Sequence, residues 1–108
     1  MKYRAPSKER GLRIASRLKA KLQERGIPVV SVLLFGSLVG GAPHRWSDVD
    51  IAVVHEAFDE SRMRERFIIR GERENYDVPM DIVCLHPEDL DDLSFGIAQE
   101  VRKHGVPV

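Results

Sequence analysis

The chain has 108 residues, 43% of them hydrophobic and 31% charged, with a net charge of zero, so a single small domain spanning 1-108, with one core and no separate substrate domain, is expected. No apolar run approaches the ~20 residues of a membrane span, and the opening MKYRAPSKERGLR is basic without the apolar stretch of a secretory signal. Neither a membrane protein nor an exported one is expected, and the lone Cys84, unable to form an internal disulfide, fits a reducing cytoplasm.

From Ser7 to Arg25 the spacing is helical. Ile14, Leu18 and Leu22 recur every four residues with Ala15 beside them, and Arg10, Arg13, Arg17 and Lys21 form an adjacent stripe. Residues 1–26 hold nine Lys or Arg against two Glu, and the remainder is correspondingly acidic. A basic helix suits an anionic ligand or partner and an acidic remainder suits cations, although a solvated charged surface explains both. Gly26 and Pro28 stop the helix, and the β-branched run Val29 to Phe35 reads as a buried strand. Gly36 to Ser47, with three glycines and a proline, reads as a turn, one helical turn after Ser37, and a loop. Strand character returns from Asp48 to Val54. Asp59 to Asn75, mixed in charge around Met63, Phe67 and Ile68, predicts a surface helix ending near Gly71, and Tyr76 to Pro79 breaks it. Met80 to Leu85 is a third strand. Pro87 opens a helical tail with Leu90, Leu93, Ile97 and Val101 on its apolar stripe, closed by Gly105 and Pro107. The expected fold class is α/β (α+β), a small mixed β-sheet flanked by helices.

Chemistry is expected where local rules are broken. Aspartate is depleted in strands, yet Asp48 and Asp50 sit two apart at the head of an apolar run, on one face. Such a pair needs a shifted pKa, a basic partner or a bound cation, and Mg2+ is commonly held by one or two carboxylates together with substrate phosphates. An Asp-x-Asp capping a strand at the solvent edge is the plain alternative. The strand running into Gly36-Ser37 adds a turn where phosphate can approach the backbone, a hydroxyl, and the amides of a following helix.

The stretch LLFGSLVGGAPHRWSDVDIAVV resembles the signature of the DNA polymerase beta-like nucleotidyltransferase superfamily: an apolar strand, Gly-Ser, a spacer near ten residues, then Asp-x-Asp in a second apolar strand. The spacer Leu38 to Ser47 is ten residues. The likeness continues at Pro79-Met80-Asp81-Ile82-Val83, where the family places a third carboxylate, and at Val101 to Val106, which looks like the end of the minimal, single-domain (MNT) members. The resemblance implies that Gly36 and Ser37 hold the triphosphate of ATP, and that Asp48, Asp50 and Asp81 bind two Mg2+ ions and carry catalysis. Small members often show Ser-x-Ala-Arg-Gly after the turn, whereas Gly40 stands here in place of the arginine; Arg45 or Arg17 is a candidate replacement.

Other residues favour ordinary roles. His44 and His55 lack zinc-ligand spacing with Cys84 or each other, and Cys84 lies in an apolar run typical of a core. Trp46 either stacks on a base or packs under the turn, and Ser47 reads as a local cap. The resemblance implies transfer of AMP to a hydroxyl on a separate helical HEPN-type toxin, the chain acting as antitoxin. Transfer to an aminoglycoside-like small molecule and a noncatalytic partner-binding module remain open, as does a homo-oligomer. No direct nucleic-acid-binding signature is present.

Overall fold

The computed structural model, which describes residues 6–40, 48–56 and 62–108, begins with α1 (Lys8–Glu24). Ser7 caps it, its hydroxyl accepting from the Arg10 amide at 3.1 Å. The helix ends where Gly26 turns to φ 76°, with Gly26 N–H bonded to Gln23 O at 3.0 Å and Ile27 N–H to Leu22 O at 3.1 Å. This paired closure satisfies the last carbonyls and needs a residue free to adopt positive φ.

Four strands follow: β1 (Val29–Phe35), β2 (Val49–His55), β3 (Met80–Leu85) and β4 (Val106–Pro107), in the sheet order β3-β2-β1-β4. β1 runs antiparallel to β2 and β4, and β2 runs parallel to β3, so the sheet is mixed, as expected. The short helix α2 (Ser37–Gly40) follows β1, α3 (Arg62–Gly71) lies between β2 and β3, and α4 (Gly96–His104) precedes β4.

Alternation along the strands divides the core in two. On one face Val32 and Leu34 of β1, Val49, Ile51 and Val53 of β2 and Ile82 of β3 pack with Ile14, Ala15, Leu18 and Leu22 of α1 and Ile69 of α3. Leu18 and Leu22 are wholly excluded from water, each worth about 1.5–3 kcal/mol of transfer free energy. On the other face Phe35, Ala52, Val54 and Leu85 pack with Ala98 and Val101 of α4. Cys84 is buried, as its apolar run predicts.

Two expectations need correction. The tail after Pro87 is not one helix: Pro87–Asp91 forms a 3-10 turn, and α4 starts only at Gly96. Asp89 accepts from the His86 amide at 2.8 Å, and Asp92 accepts from both the Ser94 amide and its hydroxyl, so side chains take up backbone groups that a helix would have used. The restart resets the phase, burying Ala98 and Val101 and leaving Leu93 81% and Ile97 45% exposed.

The helix α3 lies at the surface and ends at Gly71, as expected, with Met63 and Phe67 more than four-fifths exposed and Ile69 buried. Its orientation is set by polar anchors. The buried His55 donates through Nδ1 to Glu65 at 3.0 Å, and the buried Glu72 accepts from Arg25 at 2.8 Å and Asn75 at 2.6 Å. These turn the Glu65, Ile69, Glu72 stripe inward. The part of the expected helix from Asp59 to Ser61 lies outside the described residues. The second correction is β4, which pairs with Leu33 and Leu34 where only a chain end was expected.

Candidate functional site

The register of the sheet brings the chemistry together. β1 ends with Phe35 opposite Asp50, and Asp50 stands beside Asp81 on β3. Gly36, Asp50 and Asp81 therefore form a row across the end of three strands. Both carboxylates belong to the α4 face of the sheet, two residues before Ala52 and Val83 respectively. Asp48 immediately precedes β2 and is exposed, Asp81 is exposed, and Asp50 is half-buried.

Gly36 has φ 79°, a conformation that side chains avoid. A Cβ at this position would also collide with the Asp50 carboxylate. The turn and the carboxylate thus share one space, which accounts for glycine at this point. Behind it α2 makes a single turn, with the Gly40 amide bonded to Gly36 O at 2.9 Å. The first amides of a helix have no intrahelical acceptor, so this turn offers donors at the β1 end of the row.

Electrostatics mark Asp50. Burial, followed by the charges of Asp81, Asp48 and Glu100, raises its pKa from 3.8 to about 6. Four carboxylates therefore influence one another at one end of the sheet. Among the described residues no three His, Cys, Asp or Glu side chains converge at metal-ligand spacing, so these acids do not form a closed cage. The donor set still fits Mg2+, a hard cation that takes oxygen ligands and is usually completed by substrate phosphates and water rather than by protein alone.

Over the turn lies a cleft of about 320 Å³ lined by Gly36, Ser37, Gly40, Glu100 and His104. Glu100 and His104 were not singled out from sequence, although their spacing of four on α4, off the Ala98 and Val101 stripe, was the available signal. Arg17, considered as a replacement for the missing arginine, instead acts on Tyr76, across the sheet on the α1 side. Among the described residues lining this cleft, His104 is the only side chain able to carry positive charge. Arg45, His44, Trp46 and Ser47 lie outside the described residues. His55 is tied to Glu65 at the opposite end of β2, its ring 4.8 Å from that of His86.

A family model described as nucleotidyltransferase domain matches residues 15–106. Among solved structures, a toxin–antitoxin complex of MntA with HpeT, in a mutant carrying two Asp-to-Glu changes, is similar with a TM-score of 0.59 and 23% identity. The match covers 86% of this chain and 70% of that one. A toxin–antitoxin structure with AMP-PNP is similar with a TM-score of 0.56 and 29% identity, over 84% of this chain and 69% of that one. No curated protein is significantly similar to the chain.

Proposed function

The chain belongs to the nucleotidyltransferase domain family, and we propose that it transfers AMP from ATP to a hydroxyl of a separate partner protein, a helical HEPN-type toxin that it thereby restrains in the cytoplasm. The observation that carries this reading is the row Gly36, Asp50, Asp81, with a side-chain-free turn against a carboxylate of raised pKa. The toxin–antitoxin setting of both similar structures, and AMP-PNP in one of them, support the partner and the nucleotide.

In this reading the triphosphate lies in the cleft over the turn. Gly36 lets the phosphates approach the backbone, the Ser37 hydroxyl and the turn amides donate to them, and His104 donates from α4 in place of the arginine absent at position 40. Asp48, Asp50 and Asp81 would hold Mg2+, which when bound lowers the pKa of an attacking hydroxyl and offsets charge on departing pyrophosphate. The acceptor oxygen attacks the α-phosphorus, the bond to the oxygen bridging to the β-phosphorus breaks, and pyrophosphate leaves. The hydroxyl proton passes to the carboxylate of Asp81, the exposed end of the row. Keeping acceptor and leaving group in line is the main task of the protein.

The direct test is transfer of label from α-labelled ATP in the presence of Mg2+ and the protein encoded beside it. Labelled partner and released pyrophosphate are expected, both lost in Asp48→Ala. Equal labelling by wild type and Asp48→Ala would refute the assignment.

A further inference from the structure

Cavities lie at both ends of the carboxylate row. The cleft over Gly36 and Ser37 is at the β1 end. A larger cavity, about 690 Å³, opens at the β3 end, where Asp81 lines it together with Arg66, Arg70, Arg73, Phe95 and Ile97. A group transfer in line needs its two substrates on opposite sides of the reacting groups. We infer that the β3-end cavity seats the acceptor, and that this acceptor is a hydroxyl-bearing polypeptide segment rich in acidic side chains. The inference rests on the transfer reaction proposed above and specifies its second substrate.

Charge selects an acidic segment. Three arginines line the cavity against the two carboxylates Asp81 and Asp89, and each guanidinium carries five N–H donors. Arg66 directs one toward His86 Nε2 at 3.2 Å, and Arg73 approaches the exposed Glu74 only to 3.9 Å. Donor capacity therefore remains for carboxylates brought by a ligand.

The sheet edge selects a polypeptide. Asp81, Ile82, Val83 and Cys84 all line the cavity, and because their side chains alternate between faces, it must run along the strand edge itself. β3 is the terminal strand of the sheet, paired among the described residues with β2 alone. Its outer backbone groups can receive an added strand. An adjoining hollow of about 510 Å³ shares the three arginines and adds Met63 and Phe67, both more than four-fifths exposed. Arginine, methionine and aromatic residues together are the composition of protein-binding surfaces. A continuous phosphate backbone would pass close to Asp81, Asp89 and Glu74, whereas separated acidic side chains can interleave with them.

The test is fluorescence anisotropy with the full chain and three labelled probes: a peptide of about twelve residues bearing one Tyr among Glu and Ala, its Lys counterpart, and an oligouridylate of equal length. The acidic peptide should bind at least about tenfold more tightly than either alternative. Arg70→Glu combined with Arg73→Glu should weaken it by a further factor of about ten or more. Should the double variant not fold, Arg73→Glu alone decides, because that side chain is 56% exposed. Equal binding of the Lys peptide, tighter binding of the oligouridylate, no peptide binding, or an unchanged affinity in Arg73→Glu would each overturn the inference. Calorimetry of ATP with Mg2+ on the same wild-type protein separates the two ideas. Failure to bind ATP counts against the transfer reaction, whereas ATP binding without peptide preference counts against the acceptor site alone.

Discussion

Asp50→Asn keeps the shape of the side chain and removes its charge, and the structure gives both sign and size to the result. Asp50 ionises with a pKa raised from 3.8 to about 6 by burial and by Asp81, Asp48 and Glu100, so folding disfavours its charged form. Between these two values the native chain binds more protons than the unfolded one, and stability falls as pH rises. Above about 6 the whole penalty is present. Roughly two pH units at about 1.4 kcal/mol each set an upper limit near 3 kcal/mol; because the group is only half-buried, screening reduces this to about 1–2 kcal/mol. Thermal melts in EDTA should therefore show Asp50→Asn more stable than wild type at pH 7.5, by about 5–10 °C for a domain of this size. At pH 5 the difference should shrink to roughly half, as the wild-type carboxyl takes up protons. The same variant should lose nucleotidyl transfer. An Asn variant that melts at or below wild type at pH 7.5, or a difference that grows toward acid, would refute the electrostatic account.

Gly36→Ala should destabilise the fold by about 2 kcal/mol or more in urea titrations, since it combines positive φ with a collision against Asp50; an unchanged midpoint would show that the turn relaxes freely. His104→Ala should raise the KM for ATP about tenfold, the value of one hydrogen bond of about 1.5 kcal/mol to a charged group, and an unchanged KM would remove His104 from the phosphate site. His55 is fully buried, and its Nε2 has no hydrogen-bond partner among the described residues; burial lowers its pKa below 6.5 despite the bond that it donates to Glu65. Its contribution to stability is complete above pH 6.5 and is lost as pH falls below it. In the Asp50→Asn background, which removes the opposite trend of Asp50, urea midpoints should thus decline from pH 7 to pH 5, and more gently once His55→Asn is added.

The elements with strong periodicity were legible in the sequence. Ile14, Leu18 and Leu22 placed α1 and its buried face, and the β-branched run placed β1, because local spacing and burial agree there. The Gly-Ser turn and the Asp-x-Asp were likewise legible as ends of apolar strands, whereas their adjacency comes from the pairing of Phe35 with Asp50. What sequence could not supply was helix phase wherever polar groups decide it. Glu65 and Glu72 look like solvent residues until His55 and Arg25 are seen to hold them inward, and this displaces Met63 and Phe67 to the surface. Leu93 and Ile97 fit an apolar stripe only if the tail is continuous, and the bonds from Ser94 to Asp92 interrupt it. Glu100 and His104 share one side of α4 by their spacing of four, but that this side faces the turn is set by how α4 packs on the sheet. The two-residue β4 is too short for any periodicity to reveal.

The pairing of Phe35 with Asp50 and of Asp50 with Asp81 ties chemical competence to correct folding. Sliding β2 by a single residue against either neighbour would reverse its two faces, driving Asp50 into the apolar layer beneath α1 and lifting Ile51 toward solvent. Such a misaligned chain would lose its reactive row and much of its core together. A population of well-folded but inactive molecules is therefore not expected from register errors, and the fraction of native sheet in a preparation should track its fraction of competent sites.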